Sequence, residues 1–272
     1  MAPSETFRLG KIRPPAVAGR FYPADAAELR SLIAGMLAQV PPATGQAPKA
    51  LIAPHAGYFY SGPIAASAYA QLIPARDVIQ RVVLLGPSHY VAFDGLATPS
   101  AGAFDTPLGV VPLDVEAIRQ VRSLPQVREW DEAHALEHSL EVQLPFLQTV
   151  LGRFTLVPLA VGDSTPEEIA EVLEVLWDGA ETRFVISSDL SHYHDFQTAQ
   201  RLDRATATAI EALKPAGIGN ERACGCIAIR GLLHAARRHG LRTRTIDLRN
   251  SGDTAGPRDK VVGYGAFAFG ES

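Results

Sequence analysis

The segment Ala50-Leu51-Ile52-Ala53-Pro54-His55-Ala56-Gly57-Tyr58 decides the fold class, because a short apolar run is followed at once by a polar turn. Four apolar residues bounded by turn formers are typical of a strand buried in the middle of a sheet. The run Arg81 to Leu85 enters a similar turn, Gly86-Pro87-Ser88-His89-Tyr90. The run Arg183 to Ser187 enters Ser188-Asp189-Leu190-Ser191-His192-Tyr193-His194. Each run therefore predicts a buried strand with a histidine-bearing turn at its carboxyl end.

Short apolar runs alternate along the chain with longer segments of helical periodicity, which predicts an α/β fold with helices covering a sheet. We predict strands near Ala50 to Ala53, Arg81 to Leu85, Phe154 to Val161, Arg183 to Ser187, Thr243 to Leu248 and Val261 to Phe269. We predict helices over Ile64 to Leu72, Leu136 to Val150, Pro166 to Leu176, Gln197 to Leu213 and Cys226 to His239. At 272 residues without a linker-like segment, the chain is expected to form one domain over residues 1–272.

Composition and charge exclude several classes of function. A net charge of −4 provides no overall positive field, so we expect no nucleic-acid binding. No apolar run reaches the roughly 20 residues of a membrane span. Met1 to Pro15 lacks the apolar core of a signal peptide, so we expect a cytoplasmic protein without membrane association. The two cysteines, Cys224 and Cys226, are too few and too close for a disulfide framework, and they are expected to be metal ligands or buried thiols.

The histidine-bearing turns are the candidate chemical site. Ligands of open α/β sheets bind outside the carboxyl ends of the strands, so His55, His89 and His192 are expected to converge on one crevice. Imidazole suits iron, copper, zinc and nickel, and a mononuclear site needs about three protein ligands with open positions left for substrate or water. Two histidines and one anionic ligand would suffice. The candidates for the anionic ligand are Asp189, Glu141 and the thiolate of Cys224.

Two further segments add candidates to this site. Cys224 precedes a predicted helix, whose N terminus is expected to lower the pKa of the thiol and favour the thiolate. His134, His138 and Glu141 lead into another predicted helix, where residues three or four apart share a face. We predict that His138 and Glu141 support the ligands or handle protons. The sequence has no dinucleotide fingerprint, phosphate loop or serine nucleophile elbow, and His234 and His239 are interpreted as structural.

Five ordered motifs resemble those of the Memo family. They are Pro54-His55-Ala56-Gly57-Tyr58, Leu85-Gly86-Pro87-Ser88-His89, Glu137-His138-Ser139-x-Glu141, Ser187-Ser188-Asp189-x-x-His192 and Cys224-Gly225. The resemblance extends over nearly the whole chain, from Arg13 to Ala266. The prokaryotic branch of this family is called protein B of the AmmeMemoRadiSam system. The resemblance therefore implies a functional link to a radical SAM protein and an AMMECR-like protein.

The resemblance implies a fold like that of class III extradiol non-haem iron dioxygenases, with a central mixed, largely parallel sheet flanked by helices. It implies a metal pocket formed by His55, His89 and Cys224, with Asp189 and His192 nearby. Iron(II) is the expected metal, with copper and zinc as alternatives. Because sulfur stands where the dioxygenases present a carboxylate, ring cleavage is not implied. Cys226 is an alternative to Cys224 as the sulfur ligand.

Two functions are expected from these residues and this resemblance. The first is a metal-dependent oxidoreductase acting on a small molecule or peptide. Its catalytic residues would be His192 as acid or base, Asp189 as its orienting partner or a metal ligand, and His138. The second is a non-catalytic adaptor on a dioxygenase-like scaffold that recognises a peptide or protein partner, because a fold does not fix a function. Hydrolysis with zinc is a minor third use of the same ligands.

Overall fold

The computed structural model describes residues 10–271, and most of the Met1 to Pro15 segment therefore lies outside the described residues. The strands are β1 (Ile12–Arg13), β2 (Ala50–Ala53), β3 (Arg81–Pro87), β4 (Leu96–Thr98), β5 (Ala103–Phe104), β6 (Val111–Pro112), β7 (Val127–Glu129), β8 (Thr155–Val161), β9 (Thr182–Ser187), β10 (His192–His194), β11 (Arg242–Asn250) and β12 (Val261–Gly270). The α-helices are α1 (Ala26–Leu37), α2 (Tyr58–Tyr69), α3 (Val115–Val121), α4 (Glu132–Ala135), α5 (Leu144–Val150), α6 (Pro166–Val175), α7 (Phe196–Glu211), α8 (Cys226–Arg238) and α9 (Ser251–Thr254). Short 3₁₀ helices cover Ala70–Ala75, Glu141–Gln143 and Pro215–Gly217.

The central sheet has the strand order β10-β12-β2-β9-β3-β8-β4-β7, with β11 paired to β12. Strands β2, β9, β3 and β8 are mutually parallel, whereas β12 is antiparallel to β2 and β4 is antiparallel to β8. A small separate sheet joins β1, β5 and β6. The prediction of an α/β fold with a mixed, largely parallel sheet is therefore confirmed.

The strands in the middle of the sheet are apolar on both faces, because helices cover them. Every residue of β2 and β9 is buried. Helix α8 packs on β3, β9 and helix α6, while α2 packs on β2, β11 and β12 and contacts α1 and α5. Among the described residues, no helix has the length and apolarity needed to cross a membrane.

The register of the parallel strands sets the position of the site. Ala53 at the end of β2 lies opposite Ser187 at the end of β9, and Leu85 of β3 lies opposite Ile186. The turns after β2, β9 and β3 therefore leave the sheet side by side at one edge. His55, Asp189 and His89 lie in these three turns.

All six predicted strands are present, with boundaries that differ by two residues or fewer. The predicted helices that begin at Pro166, Gln197 and Cys226 are confirmed, again with small shifts at their ends. Helix α2 begins at Tyr58, six residues before the predicted start at Ile64, because Pro63 is accommodated inside the helix. Helices α1 and α3, together with strands β1, β4 to β7 and β10, were not predicted.

The predicted helix over Leu136 to Val150 is wrong for residues 136–143 and confirmed for residues 144–150. Residues 136–140 are not helical, and the α-helix begins only at Leu144 after a 3₁₀ turn. Pro145 is the second residue of α5, where its missing N–H costs no intrahelical hydrogen bond, so it favours a helix that begins here. His138 and Glu141 consequently do not share a helix face.

Glu141 instead anchors the N-terminal part of the chain. Its buried carboxylate accepts hydrogen bonds from Arg13 Nη1 at 2.6 Å, Tyr22 Oη at 2.6 Å, and the backbone N–H groups of Ala16 and Val17 at 2.7 and 2.9 Å. A buried carboxylate is stable only when its oxygen atoms are hydrogen-bonded in this way. The predictions that Glu141 ligates the metal or handles protons are therefore wrong.

Gly231 of α8 sets the close approach of α8 to α6. A Cβ atom at this position would overlap the side chain of Ile169 and lie 3.1 Å from the Pro166 carbonyl oxygen. We expect Gly231→Ala to lower the free energy of unfolding by about 1–2 kcal/mol, because overpacking outweighs the better helix propensity of alanine. Urea unfolding followed by circular dichroism measures this change. The matched control is Gly35→Ala in α1, where no atom lies within 4 Å and alanine should stabilise. Stabilisation by both substitutions would contradict the packing argument.

Candidate metal centre

His55 follows β2 and is only 2% exposed. Its Nδ1 atom lies 2.8 Å from Ser187 Oγ, and that hydroxyl donates its hydrogen to the Ser139 carbonyl oxygen at 2.6 Å. The same hydroxyl accepts a hydrogen bond from Gln143 Nε2 at 2.8 Å. Because the only hydroxyl hydrogen is already used, His55 Nδ1 must be the donor to Ser187. The lone pair of His55 is therefore on Nε2.

His89 follows β3 and is fixed by Glu137, whose carboxylate is buried. Glu137 Oε1 accepts from His89 Nδ1 at 2.9 Å, and Oε2 accepts from the His89 backbone N–H at 2.6 Å. Burial alone raises the pKa of Glu137, but the hydrogen bonds from His89 and Ser139 bring it down to about 2. An ionised carboxylate only accepts hydrogen bonds, so Nδ1 of His89 carries hydrogen and Nε2 is free.

His138 is the third imidazole of the site. Its ring stacks on His89 with centroids 4.6 Å apart and lies edge-on to His55 at 5.5 Å. Its Nδ1 atom is buried without a hydrogen-bond partner among the described residues, and it is 3.4 Å from Glu137 Oε1. A buried polar atom without a partner calls for an explanation, and an absent ligand is one.

One nitrogen from each of His55, His89 and His138 lies within 4.8 Å of the other two. Burial lowers the pKa of His55 well below its ordinary value, and the neighbouring imidazoles of His89 and His138 lower it further. Burial also lowers the pKa of His138. Neutral imidazoles are the form that binds metal ions, and two of the three have a fixed tautomer with Nε2 free. These residues therefore fit a metal ion.

Cys224 reaches the same centre from the turn before α8. Its Sγ atom lies 3.2 Å from His55 Nε2 and accepts a hydrogen bond from the Asp189 N–H at 3.3 Å. Atoms that bind one metal at about 2.0 and 2.3 Å in tetrahedral geometry are roughly 3.5 Å apart, so this separation suits two ligands of one ion. Gly225 makes the approach feasible, because a Cβ atom there would lie 2.8 Å from the Ser187 carbonyl oxygen.

The predicted lowering of the Cys224 pKa is wrong for the chain without metal. Burial, and to a smaller extent the carboxylate of Asp189, raise the pKa of this thiol to about 12. Cys224 lies before the first turn of α8, which begins at Cys226, and burial outweighs the helix dipole. The thiol of Cys226 points elsewhere and hydrogen-bonds to Asn220.

Asp189 and His192 lie at the same edge of the sheet. Asp189 is 4% exposed, and its Oδ1 atom accepts from the His55 N–H at 2.7 Å. Burial raises the pKa of Asp189 to about 7. His192 begins β10, and burial lowers its pKa while the charges of His89 and His194 lower it further. Both residues thus adjoin the histidine group, although neither is a member of it.

Several sequence candidates lie outside the centre. His134 Nε2 bonds to the Ala97 carbonyl oxygen at 2.9 Å, on the far side of its segment from His138. His239 bonds to Glu174 and stacks on Trp177 at 4.2 Å, as expected of a structural residue. His234 lies 3.8 Å from Glu167 at the surface.

Glu137, Ser187 and Gln143 are functional residues that sequence reasoning did not single out. All three are buried, and they fix the imidazoles of His55 and His89. The sequence indicated Glu137 only as a member of a motif. Its hydrogen bond to His89 could not be predicted, because His89 lies 48 residues earlier in the chain. A carboxylate directly before His138 is the one signal that could have identified it.

A groove of about 830 Å³ opens beside the centre at the ends of β3 and β8. Its wall includes Ser88, Cys224 and Gly225 from the centre and the apolar side chains of Phe93 and Trp130. This volume suits a small organic molecule. The groove therefore provides an approach to the Cys224 side of the centre.

Comparison with known proteins relates nearly the whole chain to one family. The family model described as Memo-like protein matches residues 13–268. A MEMO1 family protein of Aeropyrum pernix is 39% identical, over 94% of this chain and 99% of that protein. A MEMO1 family protein of Ignicoccus hospitalis is 37% identical, over 95% of this chain and 98% of that protein. One of Aquifex aeolicus is 35% identical, over 95% of this chain and 99% of that protein. The chain belongs to the Memo family.

Proposed function

We propose that this protein is a metal-dependent oxidoreductase that holds one iron(II) ion at the ends of β2 and β3. The observation that carries the proposal is the group formed by His55, His89 and His138, whose nitrogen atoms lie within 4.8 Å of one another. Such a group, built from neutral imidazoles, is uncommon without a ligand because burying it costs free energy. When bound, iron(II) supplies redox chemistry and Lewis acidity at this place.

His55 and His89 are the two ligands common to every arrangement we consider. The third protein ligand is Cys224 or His138. Cys224 is supported by the 3.2 Å separation between its Sγ atom and His55 Nε2. His138 is supported by its place in the histidine group. A site with three protein ligands leaves coordination positions open, as redox catalysis requires.

The chain's own residues have separate tasks in this proposal. Glu137 and Ser187 hold the imidazoles of His89 and His55 in the tautomer that presents Nε2. Asp189 fixes the backbone turn at His55 by accepting a hydrogen bond from the His55 N–H group. His192 is the acid or base, because it is partly buried at the same edge and carries no carboxylate partner among the described residues. The groove along Phe93 and Trp130 admits the substrate and excludes bulk water from one side.

We expect protein purified without oxygen to contain about one iron per chain, and His55→Ala and His89→Ala to lose it while remaining folded. Elemental analysis with an iron(II) titration of the metal-free protein measures this, and copper(I) and zinc titrations identify the preferred ion. His234→Ala is the control, since His234 lies at the surface beside Glu167. Full metal content in His55→Ala would contradict the proposed metal site.

Cys224→Ser and His138→Ala distinguish the two candidates for the third ligand. If Cys224 is the ligand, Cys224→Ser loses iron affinity and the charge-transfer absorption of a thiolate, whereas His138→Ala keeps both. If His138 is the ligand, the pattern of iron affinity is reversed. Iron titrations and absorption spectra of both variants decide between these outcomes.

Glu137→Gln tests whether the buried carboxylate orients His89. We expect it to weaken iron(II) binding by about ten- to a hundredfold, because an amide cannot accept all three hydrogen bonds that the carboxylate accepts. Glu132→Gln is the matched control, since it removes the same charge from an exposed residue of the same segment. Equal affinity in the two variants would contradict the orienting role.

An open coordination position separates an enzyme from a purely structural metal site. Nitric oxide is a usable substitute for dioxygen in this experiment, and we expect the iron(II)-loaded protein to bind it and give an electron paramagnetic resonance signal. His89→Ala should give no such signal. A loaded wild-type protein that fails to bind nitric oxide would argue against redox catalysis on dioxygen.

A non-catalytic adaptor is the second candidate function, and one observation favours it. Large apolar side chains are exposed close in sequence to His55, His89, His138 and His192: Phe59, Tyr90, Leu136 and Tyr193 are 70%, 56%, 64% and 73% exposed. Exposed apolar groups around a pocket are typical of surfaces that bind peptides or proteins. An adaptor should keep partner binding after the metal is removed, whereas an enzyme loses its turnover.

A further inference from the structure

A second pocket lies at the opposite edge of the sheet from the metal centre. It encloses about 970 Å³ between the amino ends of β2, β9 and β11 and the segments that end α6 and α8. Four cationic side chains line it: Lys49, Arg183, Arg242 and Arg244. Lys49 and His55 flank β2 at its two ends, so about 20 Å of extended chain separates this pocket from the metal centre.

Arg183 is the central feature of this basic pocket. It is 9% exposed, and its Nη1 atom donates to the carbonyl oxygens of Ala180 and Thr182 at 2.7 and 2.9 Å. Its Nε atom is buried without a partner, and no carboxylate among the described residues forms a salt bridge with it. A buried guanidinium without a counter-ion lowers the stability of the folded chain, so packing alone does not account for it.

Two neighbouring residues of the pocket also lack a charged or polar side-chain partner in the described structure. The hydroxyl oxygen of Thr243, which also lines the pocket, is buried without a hydrogen-bond partner among residues 10–271. Lys49 Nζ donates to the Gly179 carbonyl oxygen at 2.9 Å and lies 5.7 and 5.5 Å from the ring centroids of Trp177 and Phe184. Lys49 also has no carboxylate within salt-bridge distance in the described part of the chain. Lys49 and Arg183 thus line one pocket, and neither forms a salt bridge with a carboxylate in the described part of the chain.

The nearby acidic residues compensate this charge only in part, because Glu181 and Asp178 act on Lys49 and Glu181 acts on Arg183 through space. Asp178 and Glu271 line the pocket and Glu181 lies close by, but none of them forms a salt bridge with Lys49, Arg183, Arg242 or Arg244 in the described structure. Glu174 is already paired with Arg238 and His239. Arg244 bonds to the neutral side-chain oxygen of Gln71 at 2.8 Å and keeps its full charge.

We propose that this basic pocket binds a small anion of the phosphate class that carries at least two negative charges. Guanidinium groups match the geometry of phosphate oxygens, and several converging cations favour a multiply charged ligand over a single carboxylate. The ligand would be attracted by the charges of Lys49 and Arg183, which both line the pocket. The site is separate from the metal centre and does not depend on the function proposed for it.

Tryptophan fluorescence reports directly on this pocket. The chain has two tryptophans, Trp130 and Trp177, and Trp177 lines the pocket beneath Lys49. Trp130→Phe therefore leaves a single reporter. In this background we expect inorganic phosphate and pyrophosphate to change the emission saturably, with pyrophosphate binding more tightly, in buffers of matched ionic strength. Citrate tests the alternative of a carboxylate ligand, and binding of citrate alone would overturn the assignment to phosphate.

Arg183→Met is the decisive variant. We expect it to weaken pyrophosphate binding by about ten- to a hundredfold, the effect of losing a charged hydrogen bond. Arg237→Gln, at an exposed position of α8 outside the pocket, removes the same charge and should bind as the parent does. Pyrophosphate binding that is equally strong in Arg183→Met and Arg237→Gln, or the absence of saturable binding in the parent, would overturn the proposal.

Thermal stability is a second measurement. If Arg183 had only a structural role, its replacement would leave the stabilisation by pyrophosphate unchanged. Pyrophosphate should raise the Tm of the parent, because ligands that bind only the folded state stabilise it. Arg183→Met should have a higher Tm than the parent without ligand and show no rise with pyrophosphate. If Arg183→Met does not fold, Lys49→Met replaces it in both measurements. A lower Tm in folded Arg183→Met, together with unchanged pyrophosphate binding, would assign Arg183 to the scaffold.

Discussion

The parallel pairing of β2 and β3 with the central strand β9 is the constraint on which the site depends. Three adjacent parallel strands end at one edge, so the turns that follow them are neighbours in space although they are far apart in sequence. The strands themselves are buried and apolar, and close packing leaves them little freedom to move. The positions of His55, Asp189 and His89 are therefore set by the core and not by flexible loops.

Hydrogen bonds from buried groups then decide which nitrogen each imidazole presents. Ser187 ends β9 and joins His55 to Ser139 and Gln143 through one hydroxyl group. Glu137 fixes the ring of His89, because its carboxylate accepts a hydrogen bond from His89 Nδ1. Neither arrangement is needed for packing, and each buries polar atoms that must be fully bonded to be tolerated. Such networks are costly to build, which is why they indicate a selected orientation for the two rings.

The sequence allowed the strands and the histidine-bearing turns to be predicted, because apolar runs and turn residues are local signals. It did not allow the pairing of His89 with Glu137, which depends on a contact across 48 residues. The helix predicted over Leu136 to Val150 failed for a related reason. Its periodicity was real, but Pro145 and the long-range bonds of Glu141 to the N-terminal segment overrode the local preference. Prediction thus succeeded for the strands of the central sheet and failed for the contacts between distant segments, although it also missed the local helices α1 and α3.

The same long-range contacts explain why His138 belongs to the histidine group. An α-helix through residues 136–150 would place His138 and Glu141 on one face, so both side chains would point in the same direction. The segment before α5 instead directs Glu141 to Arg13 and His138 to His89 and His55. Because α5 begins only at Leu144, a structural carboxylate is separated from a site histidine only three residues away. The residue at which a helix begins can in this way determine which side chains reach a candidate metal centre.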